Sequence, residues 1–346
     1  QLQIMKLSKS LFRLYRNTIF MLPAETAHSV SLASAEFLYK SWLKNMFIAD
    51  RKSMPNKLMG LSFPNKLGLA AGFDKNGDYL NFDNNIGLGF IELGTVTPKA
   101  QYGNSKPRIF RSIKDTAIIN HLGFNNKGVQ HLKNNLQLIE RNQPIGINIG
   151  KNSSTTIELA HEDYQYCMKE IFSLADYITL NISSPNTSRL RELHSDNYLD
   201  TFLHEIKKTH AELTKKYKKR VPLVLKISPD IKDNDLEILC RKMLNYEIDG
   251  VIATNTTIDK NLLIDKSYLN NKGGVSGKPL FKKSNILIKN IKNLVKDNIV
   301  IVGAGGITSK ESAVEKLSSG ADLLQLYTGL VYFGLDLIKE ITGETK

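Results

Sequence analysis

The sequence has little cysteine and no long apolar run, and both scarcities narrow what the protein can be. Its 346 residues include two cysteines, Cys167 and Cys240, each inside a helical-looking run, so a disulfide framework is excluded and a reducing compartment is favoured. No apolar run approaches the roughly 18 to 20 residues that a membrane-spanning helix needs. The seven histidines are dispersed without metal-ligand spacing, and we therefore predict no metal site.

The charge of the chain is strongly one-sided, at +13 near neutral pH. Such an excess favours anionic partners, and nucleic acid, a membrane surface and small acidic ligands are all compatible with charge alone. The lysines are scattered, however, and the sequence has neither paired Cys/His ligands nor an aromatic-rich basic strand. We therefore predict no nucleic-acid partner.

Residues 1–50 indicate a helical head that is distinct from the rest of the chain. In residues 4–22 the apolar side chains fall on one helical stripe, and a second helical run occupies residues 24–43. Two amphipathic helices cannot form a core alone. Their apolar faces either pack on the body or lie on a membrane surface, and the basic residues at one end favour an anionic membrane.

The body, residues 51–346, repeats one theme eight times: a short apolar run, then Gly, Ser, Asn or Thr, then a helical stretch. The runs are KLGLAAGF (66–73), FIELGTVTP (90–98), PIGINIG (144–150), YITLNISSP (177–185), PLVLKISP (222–229), GVIATNT (250–256), IVIVGAGG (299–306) and DLLQLYTG (322–329). This alternation indicates parallel pairing of buried strands. Eight units over roughly 260 residues predict an α/β fold of the (β/α)8 TIM-barrel type, whereas a doubly wound sheet needs fewer.

Polar residues stand where the predicted strands end, which is where barrel enzymes place their active sites. Asn148 and Asn181 fall within strands, which disfavour asparagine, and their amides suit a planar heterocycle with imide edges. Lys226 lies among apolar neighbours and needs a charged partner. We favour a ligand over an internal ion pair, because Asp74 and Glu92 are the only carboxylates in the adjacent strand motifs.

Two further stretches indicate ligand contacts. Residues 301–313, IVGAGGITSKESA, combine glycines that permit close backbone approach with Thr308 and Glu311 at capping-box spacing. A helix starting there favours an anion, so we predict a mononucleotide or another phosphorylated ligand. The connection 106–128, between the second and third strands, is unusually long and rich in Gly and Asn, which is typical of a functional loop.

Taken in chain order, the motifs resemble one family. AAGFDK, IELGTVTP, NHLGFNN, GINIGKN, NISSPNT, LKISPD, IATNTT, GGVSGKPL and GAGGI are similar to those of the quinone-dependent (class 2) dihydroorotate dehydrogenases. The resemblance runs from about Pro23 to the C-terminus. One departure follows SPNT, where the family usually continues Pro-Gly-Leu-Arg and this chain has Ser188, Arg189, Leu190 and Arg191. That change bears on the shape of a lid rather than on the chemistry.

The resemblance implies a flavin enzyme of pyrimidine biosynthesis, which oxidises dihydroorotate to orotate with bound FMN and then reduces a membrane quinone. It implies Ser184 as the catalytic base and Lys226 as a stabiliser of negative charge on the reduced flavin. The implied substrate ligands are Lys75, Asn120, His121, Leu122, Gly123, Phe124, Asn181, Asn186, Asn255 and Thr256. The implied FMN ligands are Ala71, Gly72, Phe73, Asp74, Lys75, Thr95, Asn148, Asn181, Lys226, Thr254, Gly277, Gly306, Tyr327 and Thr328.

The resemblance also implies a quinone channel lined by His28 and Arg111 beneath the head, a lid at residues 187–198, and a peripheral location on the cytoplasmic face of the cell membrane. Soluble members of the family place cysteine where Ser184 stands and lack the head. Three alternatives remain open from the sequence. They are a soluble fumarate- or NAD-linked dihydroorotate dehydrogenase, a phosphosugar isomerase or aldolase on the same barrel, and a non-catalytic membrane-docking module.

Overall fold

The computed structural model describes residues 12–41, 55–194 and 196–343. Its strands are β1 (Asn56–Leu58), β2 (Leu61–Phe63), β3 (Leu67–Leu69), β4 (Phe90–Val96), β5 (Ile109–Ser112), β6 (Ala117–Asn120), β7 (Ile145–Ile149), β8 (Tyr177–Asn181), β9 (Leu223–Lys226), β10 (Gly250–Ala253), β11 (Gly274–Gly277), β12 (Val300–Ala304) and β13 (Leu323–Leu326). Its α-helices are α1 (12–19 within the described residues), α2 (Ala24–Lys40), α3 (Leu80–Asp83), α4 (Val129–Leu136), α5 (Ala160–Ile171), α6 (Asp196–Tyr217), α7 (Asp233–Asn245), α8 (Phe281–Val295), α9 (Lys310–Ser318), α10 (Thr328–Phe333) and α11 (Leu335–Thr342).

Eight strands close into a parallel barrel in the order β3, β4, β7, β8, β9, β10, β12 and β13, and β13 pairs with β3 to complete the ring. Each of the eight predicted apolar runs contains one of these strands, so the predicted (β/α)8 barrel is confirmed. The strands are mostly apolar because the surrounding helices cover one side and the barrel core covers the other.

Aromatic rings fill the barrel at the end where its strands begin. The hairpin β1–β2 carries Phe63 against Phe90, with ring centroids 5.4 Å apart, and Phe90 faces Tyr177 at 6.4 Å. Gly68 and Gly146 make room for these rings, since a Cβ on either would lie within 2.4 Å of Phe90 or 2.0 Å of Tyr177. This packing closes one end of the barrel and leaves the polar groups to the other end.

The long connection 106–128 folds into strands of its own. It contributes β5 and β6 to a three-stranded antiparallel sheet, which β11 completes by pairing with β6. The sequence predicted a functional loop here and not a sheet. The apolar residues of β6 are buried against Val275 of β11, which explains why this segment does not remain an open loop.

The head packs on the barrel through one side of α2. Leu32 and the carboxylate of Glu36 are buried there, and Glu36 accepts hydrogen bonds from Asn81 Nδ2 (2.7 Å) and the backbone N–H of Phe82 (2.9 Å). The other side leaves Phe37 73% exposed. One side of α2 therefore packs on the body, as one of the two alternatives predicts. Contact of the exposed side with a membrane stays a prediction.

Parts of the predicted head lie outside the described residues, namely 1–11 and 42–50. No helix in the described part of the chain combines the length and the apolar character needed to cross a bilayer. Cys167 in α5 and Cys240 in α7 are both buried and free, which confirms that they are core residues within helices.

Candidate active site

The carboxyl ends of the barrel strands surround a cavity, which we call the strand-end cavity. Nineteen residues predicted from the sequence line it. They are Ala71, Gly72, Lys75, Thr95, Asn120, Leu122, Gly123, Phe124, Asn181, Ser184, Asn186, Lys226, Thr254, Asn255, Thr256, Gly277, Gly306, Tyr327 and Thr328. Residues that are far apart in sequence thus meet at one place, because parallel strands all end at the same edge of the barrel.

Four predicted residues lie beside this cavity without lining it. Asn148 lies behind Thr95, and Phe73 lines a second cavity described below. His121 makes a 3.1 Å hydrogen bond through Nδ1 to Asn186 Oδ1. Asp74 caps a turn by accepting three backbone N–H groups between residues 76 and 79, and its burial raises its pKa to about 6.

The two serines that follow β8 have different environments. Ser183 does not line the cavity; its hydroxyl donates to Asn181 Oδ1 (2.9 Å) and accepts from Asn255 Nδ2 (2.9 Å). Ser184 lines the cavity, is only 5% exposed, and its Oγ accepts the backbone N–H of Asn186 at 3.2 Å. The donor capacity of the Ser184 hydroxyl is thus directed to the cavity rather than to a neighbouring acceptor in the described chain.

The asparagines form connected groups around the cavity. Asn148 Oδ1 accepts from Thr95 Oγ1 (2.6 Å) and from Asn181 Nδ2 (3.2 Å). On the opposite side, Asn186 Nδ2 donates to both the carbonyl and the side chain of Asn120, at 3.0 and 3.1 Å. Buried amides in such networks have fixed orientations, which makes a rigid pattern of donors and acceptors for a planar ligand.

Lys226 has both a protein partner and access to the cavity. The sequence favoured a ligand over an internal ion pair, but the structure contains the ion pair, with Nζ 3.7 Å from Glu92 Oε1. Lys226 also lines the strand-end cavity, which leaves its ammonium available to a ligand. The ion pair that the sequence argument disfavoured is therefore present, and a ligand contact of Lys226 stays a prediction.

Lys75 supplies a second cation from the opposite side of the cavity. Burial and, to a lesser extent, the charge of Arg108 lower its pKa to about 8, while Glu25 of α2 and Asp74 oppose the shift. Glu25 itself is bound by Arg108 at 2.6 and 3.1 Å. Lys75 is therefore mostly cationic at neutral pH and can bind an anionic group such as a carboxylate.

The glycine-rich end of β12 lines the cavity, but α9, the helix that follows it in the chain, does not. Gly305 and Gly306 border the cavity with φ of +107° and +77°, a conformation that favours glycine. The capping box of α9 is made by Ser309 and Ser312, so the predicted pair of Thr308 and Glu311 was wrong. The helix whose first turn lines the cavity is α10, through Thr328 and Gly329.

Sequence reasoning missed several residues that line or support the cavity. Ala70, Ser276, Leu280, Ala304, Ile307, Gln325, Leu326 and Gly329 line it in addition. Gln325 is 2% exposed within the apolar run LLQLYT, and the argument used for Asn148 would have identified it. Its buried Oε1 has no partner among the described residues, so the cavity offers an acceptor to a ligand N–H group.

A short 3₁₀ helix, Leu190–His194, covers the loop that carries Ser184. Arg191 donates to the carbonyls of Ser183 (3.0 Å) and Thr256 (2.9 Å) and binds Asp230 at 2.9 Å. Arg191 therefore ties this segment to two loops at the cavity. The 3₁₀ helix makes up less than half of the predicted lid at 187–198, the last residues of which belong to α6.

Arg189 occupies the position at which the sequence departs from the family. Its backbone φ is +56°, in the left-handed region that glycine adopts at little cost. The side chain binds Glu192 at 2.8 Å and Glu158 at 3.3 Å, and it donates to Tyr198 Oη at 3.2 Å. These contacts fix the exposed side of this segment in the absence of the Pro-Gly pair.

A second cavity lies between the head and the barrel, and we call it the head cavity. Its empty space is about 2100 Å³, against about 1020 Å³ for the strand-end cavity, both counting open space at the mouth. Arg111 lines it with its guanidinium 4.4 Å above the Phe20 ring. His28 donates from Nε2 to the carbonyl of Phe73 at 2.8 Å, and burial lowers its pKa to about 4. Asn120 and Tyr327 border both cavities.

Comparison with known proteins assigns this arrangement to a family. A sequence profile described as "Dihydroorotate dehydrogenase" matches residues 53–346, which is most of the chain and the entire barrel. The chain belongs to the dihydroorotate dehydrogenase family. This result confirms the resemblance drawn from the strand-end motifs.

Individual relatives within the family are similar along nearly their whole length. A dihydroorotate dehydrogenase (quinone) of Coxiella burnetii is 44% identical over 331 residues, covering 96% of this chain and 95% of the relative. That of Buchnera aphidicola is 47% identical over 330 residues, covering 95% of this chain and 98% of the relative. The ferulenol complex of the Eimeria tenella dihydroorotate dehydrogenase is 33% identical with a TM-score of 0.84, covering 92% and 90% of the two chains.

Proposed function

We propose that this protein oxidises dihydroorotate to orotate in pyrimidine biosynthesis and passes the electrons, through bound FMN, to a quinone. Membership of a flavin-dependent family and relatives named as quinone-linked enzymes support this reaction. The observation that carries the proposal is the meeting of Ser184, four asparagines and two lysines around one buried cavity at the strand ends.

The residues around the strand-end cavity fit a flavin mononucleotide. Amides of Asn181 and Gln325 and the Lys226 ammonium suit the donor and acceptor edge of a flavin ring, and the unpartnered Gln325 Oε1 is available to a ring N–H. Gly305 and Gly306 allow the backbone to approach a phosphate group. When bound, FMN supplies the hydride acceptor of the reaction and the means of passing electrons on to quinone.

Dihydroorotate is an anion with ring amides, and the remaining cavity residues match its chemistry. Lys75, cationic below its pKa of about 8, attracts the carboxylate. Asn120, Asn186 and Asn255 present amide groups to the ring amides, and the buried Oγ1 of Thr256 has no partner among the described residues. Substrate binding thus satisfies polar atoms that are otherwise unpaired in a buried place.

Ser184 is the base in this proposal and removes the proton from C5 of dihydroorotate. A serine hydroxyl is a weak base in water, so the site has to exclude solvent and stabilise charge. Burial of Ser184 beneath the 3₁₀ helix Leu190–His194 supplies the first condition. The cation at Lys226 favours the negative charge that develops as hydride leaves C6, which is electrostatic preorganisation.

The head cavity is the proposed quinone site. Its lining is predominantly apolar and includes Phe20, Leu32 and Leu330, which suits a hydrophobic quinone ring and tail. Arg111 can donate a hydrogen bond to a quinone carbonyl oxygen. The neutral His28, whose Nε2–H is bound to the Phe73 carbonyl, has Nδ1 left and can accept a hydrogen bond from a quinol hydroxyl. In this proposal residues 1–50 form the head and residues 51–346 the catalytic barrel.

The exposed apolar face of the head is the proposed membrane contact, as for a peripheral protein on the cytoplasmic face of the membrane. Met21 and Phe37 are 85% and 73% exposed, and the head also carries the exposed Arg13 of α1. An apolar face flanked by cations binds the surface of an anionic bilayer without crossing it.

An anaerobic absorbance titration tests the proposed function. The purified protein is expected to show a flavin spectrum that bleaches when dihydroorotate is added and recovers when a quinone follows. A flavin that bleaches with dithionite but not with dihydroorotate would refute the substrate. Recovery with fumarate or NAD but not with quinone would refute the acceptor. A colourless protein would refute the flavin and favour an isomerase or aldolase on the same barrel.

A further inference from the structure

Glu92, in the middle of β4, is a fully buried carboxylate to which every neighbouring polar side chain donates. It accepts hydrogen bonds from Asn148 Nδ2 (2.8 Å), Gln325 Nε2 (2.9 Å), Thr179 Oγ1 (3.1 Å) and Tyr177 Oη (3.2 Å). An ionised carboxylate only accepts hydrogen bonds, and the two amide N–H groups of this shell can only donate. The site is therefore built for a negative charge inside the barrel.

A buried negative charge requires a cation, and Lys226 provides it. Its Nζ lies 3.7 Å from Glu92 Oε1, and it is the one cation within ion-pair distance of Glu92 among the residues that the structure describes. The same Lys226 lines the strand-end cavity, whereas Glu92 does not. The ammonium thus stands between a buried carboxylate on one side and the ligand space on the other.

The geometry makes the ion pair asymmetric. Glu92 is held by four neutral donors, so its position is set independently of any ligand. In the described part of the chain Lys226 has only Glu92 as a polar side-chain partner, and its long side chain has conformational freedom that Glu92 restricts. The carboxylate therefore determines where the ammonium stands and how much of its charge reaches the cavity.

We propose that Glu92 is a positioning residue for the oxidation and acts through Lys226. It keeps the ammonium at the cavity wall and offsets part of its positive charge, which sets how strongly the site favours negative charge on the flavin. The inference rests on the proposed function, because it requires a flavin in the strand-end cavity. Its test uses the flavin itself and does not require dihydroorotate.

The deciding experiment measures the midpoint potential of the bound flavin in Glu92→Gln by dithionite titration with reference dyes. Gln keeps the size of the side chain and removes its charge. The Lys226 charge is then uncompensated, so reduction to an anionic flavin is favoured and the potential becomes more positive. An unchanged or more negative potential in flavin-loaded Glu92→Gln would overturn the inference.

Tyr177→Phe is the matched control. It removes one hydrogen bond to Glu92 without altering any charge, so it tests whether disturbance of the buried shell alone moves the potential. We expect the wild-type potential with a lower melting temperature, since the lost hydrogen bond is buried. A shift in Tyr177→Phe as large as that in Glu92→Gln would assign the effect to packing and overturn the inference.

A double-substitution cycle tests whether Glu92 acts through Lys226. Lys226→Gln alone is expected to make the potential more negative, because the cation is lost. Adding Glu92→Gln in that background should then shift the potential much less than it does in the wild type. Equal shifts in both backgrounds would show that Glu92 acts on the flavin directly and would overturn the role of Lys226.

The double variant also covers the case in which Glu92→Gln does not fold. Removing one member of a buried ion pair leaves an unpaired charge, whereas removing both does not. Folded, yellow protein should therefore be recovered in Glu92→Gln/Lys226→Gln, and no recovery would overturn the inference. If dithionite reduces the flavin of the wild-type protein and dihydroorotate does not, the proposed function is refuted. The effect of Glu92 on the midpoint potential can still be measured in that case.

Discussion

The two cavities of this molecule share part of a wall and differ in how their linings are made. The strand-end cavity is bordered by amides, hydroxyls and two lysines on strand ends and adjoining loops, whereas aliphatic and aromatic side chains dominate the head cavity. In the first, Asn181 and Asn255 are fixed by hydrogen bonds to their neighbours. In the second, His28 and Arg111 donate to the backbone carbonyls of Phe73 and Phe20, and most of the remaining lining is apolar.

The difference reflects what each lining has to recognise. Hydrogen bonds are directional, so a connected network of amides fits one arrangement of donors and acceptors on a small ligand. Apolar contacts are not directional, so a cavity formed by helix faces accepts hydrophobic molecules of varied shape. Asn120 and Tyr327, which border both cavities, lie where the two environments meet. The comparison predicts that flavin reduction by dihydroorotate and flavin reoxidation by quinone can be impaired separately.

The largest expected effect is on the strand-end cavity alone. Ser184→Ala should retain FMN but slow its reduction by dihydroorotate by about 10²- to 10⁴-fold, the range typical of an acid–base group. Stopped-flow reduction measures this rate, and reoxidation of dithionite-reduced enzyme by quinone should be unchanged. Ser183→Ala is the matched control, because that hydroxyl does not line the cavity and its loss should slow reduction much less. Equal losses in the two variants would remove Ser184 from its proposed role.

A smaller effect, confined to the head cavity, is expected from Arg111. In Arg111→Leu the guanidinium that stacks on Phe20 and can bind the quinone is lost, so kcat/KM for quinone should fall on the order of tenfold. Flavin reduction by dihydroorotate should keep its wild-type rate. Arg111→Lys keeps the charge, and its kcat/KM for quinone should lie between those of the wild type and Arg111→Leu. A loss of flavin reduction in Arg111→Leu would show that the cavities are not separable.

The next largest expected effect is a pH dependence that is present in the reaction with dihydroorotate and absent from reoxidation by quinone. Because burial lowers the pKa of Lys75 to about 8, the lysine loses its proton as the pH rises through that value. The kcat/KM for dihydroorotate should then decrease above pH 8 by about tenfold per unit, whereas reoxidation by quinone should not follow this limb. Lys75→Arg stays charged throughout, so in that variant the limb should move to higher pH. A limb at the same pH in Lys75→Arg would refute the assignment.

The smallest expected effect concerns the lid over the strand-end cavity. Arg189→Gly relieves the left-handed backbone but removes the contacts with Glu158 and Glu192, so the lid should open more readily and orotate should dissociate a few-fold faster. These ion pairs are exposed, and salt should therefore accelerate release from the wild type more than from the variant. Glu192→Gln keeps the arginine and should show part of the change. A release rate that is insensitive to both substitution and salt would exclude this role.

Much of the strand-end cavity was accessible to sequence reasoning. Asn148, Asn181 and Lys226 stood out because strands inside a barrel rarely carry amides or lysines without a use. Their common location followed from the fold, since parallel strands end together. The lid and the quinone channel were implied only by resemblance to the family, and their residues keep the status of proposals.

Contacts between residues that are far apart in the sequence could not be predicted in the same way. Glu92 was visible as a carboxylate on a predicted strand, but its shell of four donors comes from strands separated by as many as 233 residues. The capping box of α9 was placed one residue early, because Thr308 and Ser309 are equally suited to the position and local backbone geometry decides between them. The antiparallel sheet β5–β6–β11 was missed because its third strand lies more than 150 residues from the second.

The sequence alone determined the eight βα units and the residue types at the strand ends, because hydrophobic alternation and turn chemistry are local properties that any short window of the chain displays. Only the tertiary structure decided that Lys226 pairs with Glu92, that Ser184 rather than Ser183 lines the cavity, and that a separate apolar cavity lies beneath the head. Those features depend on distances between remote segments, which are set by barrel closure and by the packing of α2 on the body rather than by the order of neighbouring residues.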